Sequence, residues 1–167
     1  MDDLCIMLLP KYIFEKITDI TPEFLQSHFI RLLLMDFDNT MLPYTTDTPT
    51  AELLEWIHTM QQADITLCIV SNSKKSRVPT FSRTYGITCI THAGKPGTKG
   101  IREAMAKAGE SNAALVGDQI FTDVLGANLA GIPSIIVRSI DNHNFWLKLR
   151  HVFEVPFLAL ARGRRVT

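Results

Sequence analysis

The stretch that decides the fold runs Leu32-Leu33-Leu34-Met35-Asp36-Phe37-Asp38-Asn39-Thr40. Four consecutive apolar residues show neither the alternation of a half-exposed strand nor the spacing of a surface helix. They read as a strand buried on both faces. That strand ends in two carboxylates one residue apart. Burying even part of such a charge is costly without a compensating cation. A solvated acidic turn is the plainer reading, and the rest of the chain has to decide between the two.

Outward from this stretch the same unit recurs. Pro49 opens a helix-like segment with Leu53, Ile57 and Met60 on one face. Residues 65–70 form a second apolar run, followed by Ser71-Asn72-Ser73 and a helix to Tyr85 that Gly86 closes. Residues 87–90, 113–116 and 133–137 read as further strands, with helices over 98–108 and 120–130 between them. Strands alternating with helices of this length predict an α/β fold, with a parallel sheet of about five strands and helices on both faces.

Ligands of such sheets bind outside the carboxyl ends of the strands. The residues there are Asp36, Asp38 and Thr40, then Ser71 and Asn72, then Lys95, then Asp118 and Asp123. Each has an ordinary explanation alone: Ser71 and Asp118 suit helix caps, and a loop lysine is normally solvated. Together they place an acidic pair, a hydroxyl, a lysine and a second acidic pair along one edge. Clustered carboxylates call for a hard divalent cation, and magnesium suits an open, oxygen-only site. A hydroxyl, helix-start N–H groups and a lysine are what a phosphoryl group needs. One carboxylate can attack phosphorus and another can move the proton of the leaving group.

In this order the motifs closely resemble those of the haloacid dehalogenase (HAD) superfamily of phosphohydrolases, over roughly residues 32–137. The resemblance implies a Rossmann-like, three-layer α/β/α fold, with Asp36 as nucleophile and Asp38 as general acid and base. It implies magnesium held by Asp36, the backbone carbonyl of Asp38 and Asp118, with Asp123 assisting. Ser71 and Lys95 would bind the phosphoryl oxygens, with Thr40 and Asn72 beside them. Only 30 residues separate Thr40 from Ser71, and 23 separate Ser71 from Lys95. One helix and one strand consume each gap, so no cap domain fits and the site should be open, suited to a macromolecular or membrane-borne phosphate, or roofed by a neighbouring subunit.

More of the chain then looks like the capless YqeG branch (subclass IIIA), related to mitochondrial phosphatidylglycerophosphate phosphatase. The residues are Leu9-Pro10, Ile20-Thr21-Pro22, Asp38-Asn39-Thr40-Met41-Leu42-Pro43, Lys95-Pro96, Gly117-Asp118-Gln119 and Thr122-Asp123-Val124-Leu125-Gly126. That resemblance implies phosphatidylglycerophosphate as substrate. The alternatives are a soluble capless phosphatase of sugar phosphates or nucleic-acid ends and, from another class, a receiver-like phosphoacceptor module. Against the last stands Asp38, an acid two residues past the acceptor.

The 167 residues predict one hydrolase domain, with an N-terminal extension (1–31), a catalytic core (32–137) and a C-terminal tail (138–167). The 17 basic and 17 acidic residues cancel, which disfavours a nucleic-acid binder. The balance is uneven along the chain: 12 basic against 16 acidic up to residue 143, then 5 against 1. That basic tail carries Phe145, Trp146, Phe153 and Phe157, a composition for peripheral membrane contact, for docking on the domain or for a homo-oligomer interface. Cys5, Cys68 and Cys89, odd in number and widely spaced, suit reduced thiols in a cytoplasmic protein.

Overall fold

The computed structural model describes residues 6–140; the aromatic and basic tail singled out above lies outside the described residues. Six parallel strands form one sheet: β1 (Tyr12–Ile13), β2 (Leu32–Met35), β3 (Thr66–Val70), β4 (Thr88–Ile90), β5 (Ala113–Gly117) and β6 (Ser134–Ile136). Their spatial order is β1-β6-β5-β2-β3-β4. The five expected strands are all present, and β1 corrects the count. It is a two-residue, half-buried edge strand whose Tyr12 and Ile13 pair with Ile135 and Ile136. So short a segment carries no periodic signal, and its pairing is a tertiary event. The stretch expected as an extension therefore supplies an edge of the sheet.

Leu32 to Met35 are fully buried, as a strand with neighbours on both sides requires. Leu33 and Met35 face a cluster with Trp56, Met60 and Phe81, while Leu32 and Leu34 face Ile101, Ala104 and Ala127. Successive side chains thus feed opposite cores, each large one contributing about 1.5–3 kcal/mol on burial. Helix α1 (Pro22–Ser27) precedes β2, and α2 (Ala51–Gln62), α3 (Arg77–Tyr85), α4 (Lys99–Ala108) and α5 (Leu125–Ala130) follow β2 to β5 in turn. Trp56 ties α2 down: its indole Nε1 donates to the Ile20 carbonyl at 2.7 Å.

Two helix starts and one helical segment differ from expectation. The second helix begins at Ala51, two residues beyond Pro49, with the Thr50 hydroxyl accepting from Leu53 N at 3.2 Å. The third begins only at Arg77, six residues past Ser71, so Ser71 is not a helix cap. Its Oγ instead accepts from Ser73 N at 3.1 Å and closes a local turn. The segment 120–130 is two elements, a wide π-helical turn (Ile120–Val124) and then α5.

The chain visits β2, β3 and β4 in one direction and then crosses back to β5 on the other side of β2. The carboxyl ends of β2 and β5 therefore flank the point where the winding reverses, the position at which open α/β sheets bind ligands. Between Thr40 and Ser71 lie only a loop, α2 and β3, and between Ser71 and Lys95 only α3 and β4. No cap domain is inserted at either place. Among the described residues no helix is long and apolar enough to cross a membrane.

Candidate active site

The four strand ends meet in a cavity of about 390 Å³ lined by Asp36, Asp38, Ser71, Asn72, Lys95 and, at its rim, Tyr44. Asp36, Asp118 and Asp123 are buried, and each offers a carboxylate oxygen within 4.8 Å of the others. Between them sits Lys95, whose Nζ donates to Asp36 Oδ1 at 2.8 Å and to Asp123 Oδ1 at 2.6 Å. A compact, fully donating ammonium can serve two acceptors from different strand ends at once.

Local sequence explains how each group is held. Asp123 stands in the wide turn, where its Oδ2 accepts from Gln119 N at 3.1 Å. Gly117 makes room for it, since a Cβ there would lie 2.3 Å from the Asp123 carboxylate. Asn72 lines the cavity, but its side-chain amide also clamps the loop of the lysine. Its Oδ1 accepts from Lys95 N at 2.8 Å and its Nδ2 donates to Lys95 O at 2.9 Å. Thr40 donates to Asp118 Oδ1 at 3.4 Å, a long bond linking the loops after β2 and β5. Asn39 adopts φ 62°, a left-handed backbone that turns the chain between the two acids and Thr40.

The carboxylate of Asp38 stands apart from the cluster of three. Its Oδ1 accepts from Arg77 Nη1 at 2.9 Å. Burial raises the pKa of Asp38, with Arg77 opposing. Burial also pushes Asp36 up to about 6, against the pull of Lys95 and with the help of Asp123. For Lys95, burial disfavours the charge, yet the carboxylates of Asp123 and Asp36 outweigh it and hold the ammonium above the ordinary lysine value.

One cation among three buried carboxylates leaves net negative charge in a poorly hydrated place. The donors are all oxygen, so the arrangement fits a divalent metal through Asp36, Asp118 and Asp123. The site residues expected from the sequence, Asp36, Asp38, Thr40, Ser71, Asn72, Lys95, Asp118 and Asp123, are all at this edge. Arg77 was missed. Its signal was there, because a cation in the first turn of a helix opposes the helix dipole and needs a local reason.

Comparison with known proteins identifies the family. The profile of the mitochondrial PGP phosphatase family matches residues 5–140. The chain belongs to that family. By that membership the chain is a phosphatase. The probable phosphatase YqeG of Bacillus subtilis (strain 168) is 35% identical over 131 residues, covering 77% of this chain and 76% of that protein. Among solved structures, the cobalt-bound deoxy-D-mannose-octulosonate 8-phosphate phosphatase of Haemophilus influenzae superposes with a TM-score of 0.54 at 14% identity. That match covers 80% of this chain and 90% of the other. The 3-deoxy-D-manno-octulosonate 8-phosphate phosphatase of Yersinia pestis gives 0.50 at 15% identity, covering 84% and 86%. These two share the fold of this phosphatase.

Proposed function

We propose that the protein is a magnesium-dependent phosphomonoesterase working through an aspartyl-phosphate at Asp36, with phosphatidylglycerophosphate as its substrate. The observation that carries the reading is the Asp36–Lys95–Asp123 bridge beside Asp118 and Ser71. Near pH 7 a group whose pKa is about 6 is ionised, so Asp36 is ready to attack. One oxygen of its carboxylate forms a bond to phosphorus, and the ester P–O bond breaks. Asp38, its pKa raised by burial, gives its proton to the departing oxygen. In the second half Asp38 takes a proton from water, the water oxygen bonds to phosphorus, and Asp36 leaves as a carboxylate. Lys95 and the Ser71 hydroxyl bind the phosphoryl oxygens, and Asn72 keeps Lys95 in place. Asp36, Asp118, Asp123 and the Asp38 carbonyl would hold the metal, which supplies positive charge against the phosphoryl group.

We read residues 1–167 as one hydrolase domain that meets a lipid phosphate at a membrane surface from the cytoplasm. The family match and the capless, open cavity support the lipid substrate. The test compares wild type and Asp36→Asn on phosphatidylglycerophosphate in mixed micelles and on soluble sugar phosphates, with magnesium or with a chelator. Preference for the micellar lipid, dependence on magnesium and loss of turnover in Asp36→Asn are expected. Preference for the sugar phosphates would defeat the lipid reading, and an active Asp36→Asn would defeat the nucleophile.

A further inference from the structure

Phosphoryl transfer as described makes no demand on Arg77, yet its guanidinium is buried, with 8% side-chain exposure, and donates through both terminal nitrogens. Nη1 donates to Asp38 Oδ1 at 2.9 Å, and Nη2 donates to the carbonyls of Pro43 at 2.9 Å and Thr46 at 2.6 Å. Nε forms an ion pair with Asp47 Oδ1 at 2.8 Å, though its N–H is not aligned for a hydrogen bond, and the guanidinium carbon is 5.2 Å from the centroid of the Phe37 ring. Arg77 does not line the cavity of Asp36. It lines a separate hollow of about 200 Å³ with Phe37, Asp47 and Phe81, and so reaches Asp38 from behind.

We propose that Arg77 is a positioning residue that locks the Asp38 carboxyl and the loop over residues 43–47 into one arrangement. The proposal rests on the reading of Asp38 as proton donor. A planar fork satisfies a carboxylate and two carbonyls together, which a lysine cannot do. Only Oδ1 of Asp38 bonds to Arg77, so Oδ2 remains for the oxygen of the substrate. The same loop carries Tyr44 to the rim of the active cavity. The orientation of the acid and the shape of the rim are therefore set together.

Proton donation matters little for a leaving group that departs readily as an anion, and much for a poor one. The full chain with magnesium is assayed on p-nitrophenyl phosphate and phenyl phosphate as wild type, Arg77→Ala, Arg77→Lys, Asp47→Asn and Asp36→Asn. Backbone hydrogen exchange over residues 43–47 is followed in parallel. For Arg77→Ala, kcat on phenyl phosphate falls about tenfold further than on p-nitrophenyl phosphate, part of the ~10²–10⁴ general acids contribute. Arg77→Lys recovers some of that difference, and exchange in the loop is quicker in Arg77→Ala than in wild type or Arg77→Lys. Asp47→Asn removes one anchor, 77% exposed, and gives the same pattern in weaker form even if Arg77→Ala fails to fold. Equal losses on both substrates in the Arg77 and Asp47 variants, or unchanged loop exchange, overturn the proposal. Failure of the nucleophile reading is distinct: Asp36→Asn then stays active, while loop exchange still reports on Arg77.

Discussion

Two cations meet the carboxylates at this edge of the sheet, and they are built for different tasks. Lys95, in the loop after β4, has 1% side-chain exposure and joins Asp36 to Asp123, from opposite sides of the winding reversal. Arg77, at the start of α3, joins Asp38 to backbone carbonyls of its own strand's loop. Asp36 and Asp38 are two residues apart and are nevertheless served by different partners. The lysine gathers charge into one centre; the arginine holds one acid away from that centre. A nucleophile and a proton donor need that separation, because two carboxylates sharing one site push one pKa far up.

Several substitutions would break or sharpen this contrast. The largest effect belongs to Asp36→Asn: turnover of any phosphomonoester should fall about a thousandfold or more, as removal of a nucleophile does in other enzymes. Stopped assays alongside a near-ultraviolet spectrum separate this loss from misfolding. Lys95→Met should be the most destabilising change, by about 3–5 kcal/mol, since it leaves two buried carboxylates without their cation. Denaturant unfolding checks it, and added magnesium should restore more stability to this variant than to wild type.

Asp36 also predicts a pH effect in the metal-free protein. Its pKa is about 6 when folded against an ordinary 3.8, so the folded state holds the proton more tightly. The stability it contributes is complete below about pH 4 and is lost as pH rises through about 6, on the order of 2–3 kcal/mol. Unfolding free energies of wild type and Asp36→Asn, compared at pH 4.5 and 7, should diverge in that direction. A flat difference would show that Lys95 offsets burial completely.

Gly117→Ala should cost about 1–3 kcal/mol, because its Cβ would meet the Asp123 carboxylate at 2.3 Å and the carboxylate must shift from Lys95. Thermal unfolding measures the cost, and a larger loss of activity than of stability would place it at the Lys95 bridge. The smallest effect is expected at the exposed surface. Lys16 and Glu52 form an exposed ion pair, and Glu52→Gln should leave the melting temperature unchanged within error.

Much of this was legible along the chain because it depends on local pattern. The uninterrupted Leu32 to Met35 run announces a strand with neighbours on both sides, and the acids, hydroxyl and lysine follow strands at regular intervals. Gly86, at φ 65°, closes α3 as its position suggests. The edge strand β1 was not legible, because two residues gain a strand's geometry only from the pairing partner. The start of the helix after Ser71 was not legible for a related reason: a cap is defined by where the helix starts, and α3 starts six residues past Ser71.

The sequence by itself determined which chemical groups arrive at the carboxyl edge, since strand order and period place every strand end on one side of a parallel sheet. Only the tertiary structure decided which of them touch. Lys95 lies 59 positions from Asp36 and 28 from Asp123, and Arg77 lies 39 from Asp38. Pairing over such separations depends on how the sheet winds and how the helices pack, and no local spacing encodes it. The physical reason is that burial makes each of these charges costly alone, so the fold is stable only where each finds its partner.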